Sequence, residues 1–199
     1  MFGPNGYHQT IACIRKQGTL YNTYTTAKSL LTSATSVVGV SDQLPIIAPP
    51  NYYAGHKWVI DFTAAVSNIA TTPGTMNFQV VLGGIVVYDS GALILTTTAH
   101  TLLPVIGQIH LTLDTSGNGT LAKCRGRGVF SGQMLQQTGA ALADAATASQ
   151  TVIAPATTLV LSNGFNSAQA NALDFFAGFS ISNAGNGVQL WDYEVTDRN

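Results

Sequence analysis

From Gly107 to Phe130 the chain alternates in polarity, with Ile109, Leu111 and Leu113 separated from one another by His110 and Thr112 and flanked by Gln108 and Asp114. A two-residue period marks a strand with one buried face. The residues Ser116-Gly117-Asn118-Gly119 follow. They tolerate positive φ and predict a reversal. Beyond it, Ala122 and Cys124 alternate with Lys123, Arg125 and Arg127. An even-numbered loop, either Gly117-Asn118 or Thr115 to Asn118, puts Ala122 and Cys124 on the leucine face. The three cations then share the outer face with His110 and Gln108. A one-residue slip would bury them, so the hairpin fixes its own register.

The same period recurs elsewhere. Trp58, Ile60, Phe62, Ala64 and Val66 point one way, and Lys57, Val59, Asp61 and Thr63 the other. After a reversal at Thr71-Thr72-Pro73-Gly74, a second apolar face runs through Met76, Phe78, Val80 and Leu82. Gly83-Gly84 turns the chain into Ile85 to Tyr88, and Asp89-Ser90-Gly91 ends that strand. The stretch ALILTTTAHTLLPVI is apolar without a clean period and reads as a crossover between two sheets. Near the end, Phe175, Ala177, Phe179 and Ile181 form one face and Trp191, Tyr193 and Val195 another. Pairing these two as a hairpin requires an odd-numbered loop, with Gly185 or Gly187 at positive φ. That reading places Trp191 and Tyr193 in the core.

Other segments read less sharply. TLYNTYTTAKSLLT has strand composition, SATSVVGVSDQ reads as turn and loop, and the prolines of LPIIAPPNYY confine that stretch to an edge or a connection. GAALADAATASQ is a short helix or an exposed loop. Thr151 to Ser162 reads as a strand pair interrupted by Pro155, and Ala168 to Leu173 as a polar connection. Residues 1–17 form an N-terminal arm, frayed or ordered on a neighbour, and 18–199 a single domain. The sum is eight to ten strands with little or no helix. The predicted fold is an all-β antiparallel β-sandwich, a jelly roll ahead of an immunoglobulin-like sandwich.

Charged residues make up 9% of the chain and hydrophobic ones 46%, against roughly 25% charged in ordinary soluble domains. A chain with so little charge to solvate its surface is expected to bury part of it against other subunits; a hydroxyl-rich exterior is the alternative. The net charge of −1 gives no steering towards nucleic acid or anionic lipid. The opening residues lack a cationic stretch before an apolar run, and no segment reaches the roughly 18 apolar residues of a membrane span. These features predict a soluble chain that begins as written. Cys13 and Cys124 are expected to be free thiols.

No residue pattern supports catalysis. The histidines His8, His56, His100 and His110 include no His-x-His pair of the cupin kind, so no metal is expected. The loop starting at Asp114 has Arg125 where a calcium loop needs its twelfth-position glutamate. Gly126-Arg127-Gly128 lacks the lysine and helix of a phosphate loop, and no Gly-x-Ser-x-Gly elbow occurs. No catalytic or cofactor-binding residue is assigned. What remains is a candidate partner surface: the pair Tyr52 and Tyr53 in the proline-rich loop, whose rings could stack on sugars, and the face of Lys123, Arg125 and Arg127.

The runs AGHKWVIDFTAAVSN, TMNFQVVLGGIVVYDSG and IGQIHLTLDTSGNGTLAKCRGRGVFSG, closing on LWDYEVT, resemble a pattern of tailed-bacteriophage virion proteins. In those proteins a G-x-x-W/Y strand leads to an F-x-V-x-x-G-G hairpin and then to a hairpin with a Gly-rich turn. The likeness spans Ala54 to Thr196 and implies a trimeric, tumour-necrosis-factor-like jelly roll. It implies a non-enzymatic decoration or cement protein on the outside of a capsid, assembled in the host cytoplasm. A receptor- or glycan-binding head of a tail fibre or spike is the alternative. The implied partners are two further copies of the chain and the major capsid protein or another virion protein, with no nucleic acid, membrane or cofactor.

Overall fold

Residues that alternate in the sequence alternate between core and surface in space. The computed structural model describes residues 8–14, 17–31, 44–136, 149–156 and 158–198. In chain order the strands are β1 (His8–Ile14), β2 (Tyr21–Asn22), β3 (Lys28–Ser29), β4 (Ile46–Ile47), β5 (Lys57–Asn68), β6 (Thr75–Leu82) and β7 (Ile85–Asp89). They continue as β8 (Leu93–Leu95), β9 (His100–Thr115), β10 (Lys123–Gly132), β11 (Leu135–Gln136), β12 (Gln150–Ala154), β13 (Asn171–Phe179) and β14 (Gly187–Arg198). Among the described residues the only helical piece is a 3-10 turn, Pro49–Asn51. No helix there is long and apolar enough to cross a membrane.

The strands form two antiparallel sheets, the all-β sandwich expected. One sheet runs β1-β14-β5-β9-β10-β12, with β2 also on β14; the other runs β11-β8-β6-β13-β3, with β4 on β13 and β7 on β6. The chain changes sheet between β2 and β3, β4 and β5, β5 and β6, β8 and β9, β10 and β11, β11 and β12, β12 and β13, and β13 and β14. The strands on either side of each change face one another across the core.

The inner faces meet on a cluster of aromatic rings. Phe62 of β5 lies 4.8 Å from Phe78 of β6 and 4.7 Å from Phe175 of β13, centroid to centroid. Phe78 stacks with Phe130 at 5.5 Å and with Phe175 at 5.6 Å. Such separations add to the burial energy of each ring. At the side of this cluster Tyr88 of β7 reaches across to the first sheet and donates its hydroxyl to the carbonyl of Ala154, 3.1 Å away. Gly126 of β10 makes that approach possible, since a Cβ there would run into the Tyr88 ring. Buried asparagines tie down the connections. The Asn68 amide donates to the carbonyls of Thr96 and Thr98, and the Asn186 amide to those of Pro73 and Ile181.

Several expectations hold in detail. In the β9–β10 hairpin Cys124 pairs with Leu113, Gly126 with Leu111 and Arg127 with His110, so the cations face outward. The loop between the paired Thr115 and Lys123, residues 116–122, is odd-numbered where an even one was expected, and a register shift beside Lys123 restores the expected facing. Gly83 and Gly84 turn β6 into β7 with φ of +56° and +84°. The stretch after Gly91 crosses between sheets. Both cysteines are free; Cys13 is exposed, and burial pushes the Cys124 thiol up to about 12.

The last two strands require a correction. β13 and β14 belong to different sheets and are not a hairpin, and neither Gly185 nor Gly187 has positive φ. Their aromatic faces do meet, but across the sandwich, with Phe175 and Tyr193 at 5.6 Å. Trp191 is not core. The register on β5 shifts between Leu190 and Asp192, and the extra residue in this bulge turns outward, leaving Trp191 39% exposed. Of Thr151 to Ser162 only Thr151 to Ala154 is strand, and Asn171 to Leu173 belongs to β13. Within the N-terminal segment 1–17, residues His8–Ile14 pair as an edge strand with β14. The readings of SATSVVGVSDQ and of most of GAALADAATASQ fall outside the described residues.

Candidate functional site

The outer face of the first sheet carries the residues worth weighing, and strand register arranges them in rows. Across β14, β5, β9 and β10 the first row is Arg198, Lys57, Thr112 and Arg125, and the second is Thr196, Val59, His110 and Arg127. The third row, which continues onto β12, is Glu194, Asp61, Gln108, Val129 and Ile153; the fourth is Asp192, Thr63, Ile106, Ser131 and Thr151. Charge is therefore segregated. Cations occupy the first two rows and acids the last two, with Ile106, Val129 and Ile153 exposed beside the acids.

The cationic end is concave. A depression of ≈ 450 Å³ is lined by Tyr53, Gly55, Lys57, Val59, His110 and Arg198. A second of ≈ 340 Å³ shares Lys57 and His110 and adds Asp114, Arg125, Arg127 and Leu159. Val59 points outward yet is buried, so the long side chains around it cover it. Arg125 is neutralised by Asp114, to which its Nε donates at 2.9 Å. Among the described residues no ion pair is made by Lys57, Arg127 or Arg198.

A hydrogen-bond chain orients His110. The Gln108 amide nitrogen donates to Asp61 at 2.6 Å, which turns Gln108 Oε1 towards His110 Nε2 at 2.8 Å. An amide oxygen only accepts, so Nε2 carries the proton and Nδ1 remains the basic nitrogen. Partial burial, and then the positive charges of Arg127 and Arg198, hold the His110 pKa below its usual value.

The two tyrosines part company. Tyr52 is buried, edge-on to Trp58 at 5.9 Å and to Phe165 at 5.7 Å, with its hydroxyl accepting from the Asn171 amide at 3.2 Å. It is a core residue and leaves the candidate surface. Tyr53 is 44% exposed and packs edge-on to His56 at 4.7 Å. His56 is itself fixed, with Nε2 2.8 Å from Asp197 Oδ1 and its ring 4.5 Å from Trp58. Burial lowers the His56 pKa and raises that of Asp197, so both charges are disfavoured there.

Of the residues singled out from the sequence, Tyr53, Arg125 and Arg127 line this end of the face. Lys123 lies at the start of β10, opposite Thr115. Sequence reasoning missed Lys57, Arg198 and the part played by His110. Lys57 was placed on the outer side of its strand, but its meeting with Arg198 depends on a pairing 141 residues apart in number, between Lys57 and Arg198. Among the described residues no three His, Cys, Asp or Glu side chains gather as a metal site would need.

No protein-family model matches the chain, and no curated protein matches it. Among solved structures the chain is similar to the CBM2 module of the evolved Dit of Lactobacillus casei phage J-1 (host strain BL23), at 12% identity and a TM-score of 0.35. The match covers 98% of this chain and 97% of that one. A likeness this weak leaves function to be argued from the residues of the chain itself.

Proposed function

We propose that this chain is a non-enzymatic structural protein of a phage virion. It forms a homotrimer and binds the outside of the capsid, on the major capsid protein, as a decoration or cement protein. The observation that carries this reading is the apolar stripe of Ile106, Val129 and Ile153, which are 60%, 40% and 67% exposed on three adjacent strands. In a chain with 9% charged residues, an open apolar stripe beside a shallow depression of ≈ 470 Å³ lined by Ile106 and Val129 is the kind of surface that another copy covers. The virion setting rests on the sequence resemblance. Many weak contacts repeated over a shell would give firm attachment without a deep pocket.

Light scattering on the purified chain should return the mass of three copies. Ile153→Asp, at a position 67% exposed in the single chain, should return one copy with an unchanged β spectrum. A wild-type monomer at micromolar concentration overturns the trimer, and failure to bind capsids built from the major capsid protein alone overturns the decoration role. The second reading, a receptor- or glycan-binding head on a tail fibre or spike, is favoured by the exposed ring of Tyr53 beside Lys57 and Arg198, which make no ion pair among the described residues.

A further inference from the structure

Lys57, Arg127 and Arg198 repel one another without an ion-pair partner among the described residues, in a chain that has eight lysines and arginines in all. Their combined field is felt at His110, whose proton they disfavour. Asp61 attracts it in turn but lies in the next row and is engaged by Gln108. Asp114 is engaged by Arg125. Among the described residues the nearby acids thus leave three positive charges without an ion pair, and a concave positive surface concentrates anions.

The depression over Val59 is lined by an aromatic ring, Tyr53, as well as by the cations Lys57 and Arg198. That ring is held by His56, which is held by Asp197 and Trp58. A half-exposed ring fixed from behind is a preformed platform whose ordering cost is met by the fold. The second depression joins the first over Lys57 and His110. Two adjoining hollows, each with cations, suit a chain of charged units better than one small ion.

We infer that these hollows bind an acidic polysaccharide, a sugar ring lying on Tyr53 and its carboxylate or phosphate groups held by Lys57, Arg198 and Arg127. This deepens the second reading above and rests on it. It does not compete with trimer formation through the Ile106, Val129 and Ile153 stripe, which occupies the other rows.

The test is calorimetric titration of the wild-type protein with three probes: alginate oligosaccharide for carboxylates, glycerol-phosphate teichoic acid for phosphates, and neutral dextran. Binding to at least one acidic probe and none to dextran is expected, with affinity falling as salt rises. Lys57→Gln with Arg198→Gln should weaken it at least tenfold, since hydrogen bonds to charged groups are lost. Tyr53→Ala should weaken it severalfold while leaving the weak binding of inorganic phosphate unchanged. Equal binding by the double variant overturns the site. Loss in the double variant with none in Tyr53→Ala shows bare polyanion attraction and overturns the sugar assignment. Binding of neutral glycans on an array, lost in Tyr53→Ala, overturns the acidic preference but preserves the glycan reading; no glycan bound in any arm overturns both.

Discussion

Two adjacent tyrosines show how much a single backbone step decides. The 3-10 turn at Pro49–Asn51 delivers Tyr52 into the gap between Trp58 and Phe165 and leaves Tyr53 on the rim. Tyr52→Ala should therefore destabilise the fold by about 3–5 kcal/mol, the usual cost of truncating a buried aromatic residue. Tyr53→Ala should change stability by about 0.5 kcal/mol or less, as surface substitutions do. Chemical denaturation of the two variants, compared at equal slope, checks both. The sequence shows a Tyr-Tyr pair after two prolines but not which ring turns inward, because the choice depends on Phe165 and Asn171, more than a hundred residues away. Arg125 and Arg127 were legible as an outward face because alternation is local. Lys57 and Arg198 join them only through the pairing of β14 with β5 and of β5 with β9.

At the scale of elements, the strands themselves were legible wherever one face is buried, as along β5, β6 and the β9–β10 hairpin. Which sheet each strand joins was not. β13 and β14 have facing apolar sets, and a hairpin and a crossover both bring such sets together; only the winding of the whole chain distinguishes them. The bulge in β14 was hidden for a related reason. Trp191 keeps the sequence period that Tyr193 and Val195 follow, yet the register on β5 slips at this residue and the ring turns outward. Trp191→Ser should accordingly keep the melting temperature within a few degrees of wild type. Tyr193→Ala should lower it sharply, because Tyr193 is fully buried against Phe175 and its loss leaves a cavity. A thermal melt in which Trp191→Ser proved the more damaging would show that the bulge is absent.

At the scale of the whole molecule the shortage of charge becomes a statement about assembly. Four of the eight lysines and arginines, Lys57, Arg125, Arg127 and Arg198, sit at one end of one sheet face, so the rest of the surface has few charges to solvate it. If three copies cover one another's apolar stripes, folding and assembly are one equilibrium, and stability depends on protein concentration. For a trimer that dissociates as it unfolds, a hundredfold rise in concentration adds about 1.8 kcal/mol per chain by mass action. For a chain of this size that corresponds to a rise in Tm of about 4–7 °C. Calorimetric scans at two concentrations a hundredfold apart should show this shift for the wild type and none for Ile153→Asp. A wild-type Tm independent of concentration would mean that the exposed stripe is covered by something other than copies of the chain, and the capsid surface would then be the first partner to test.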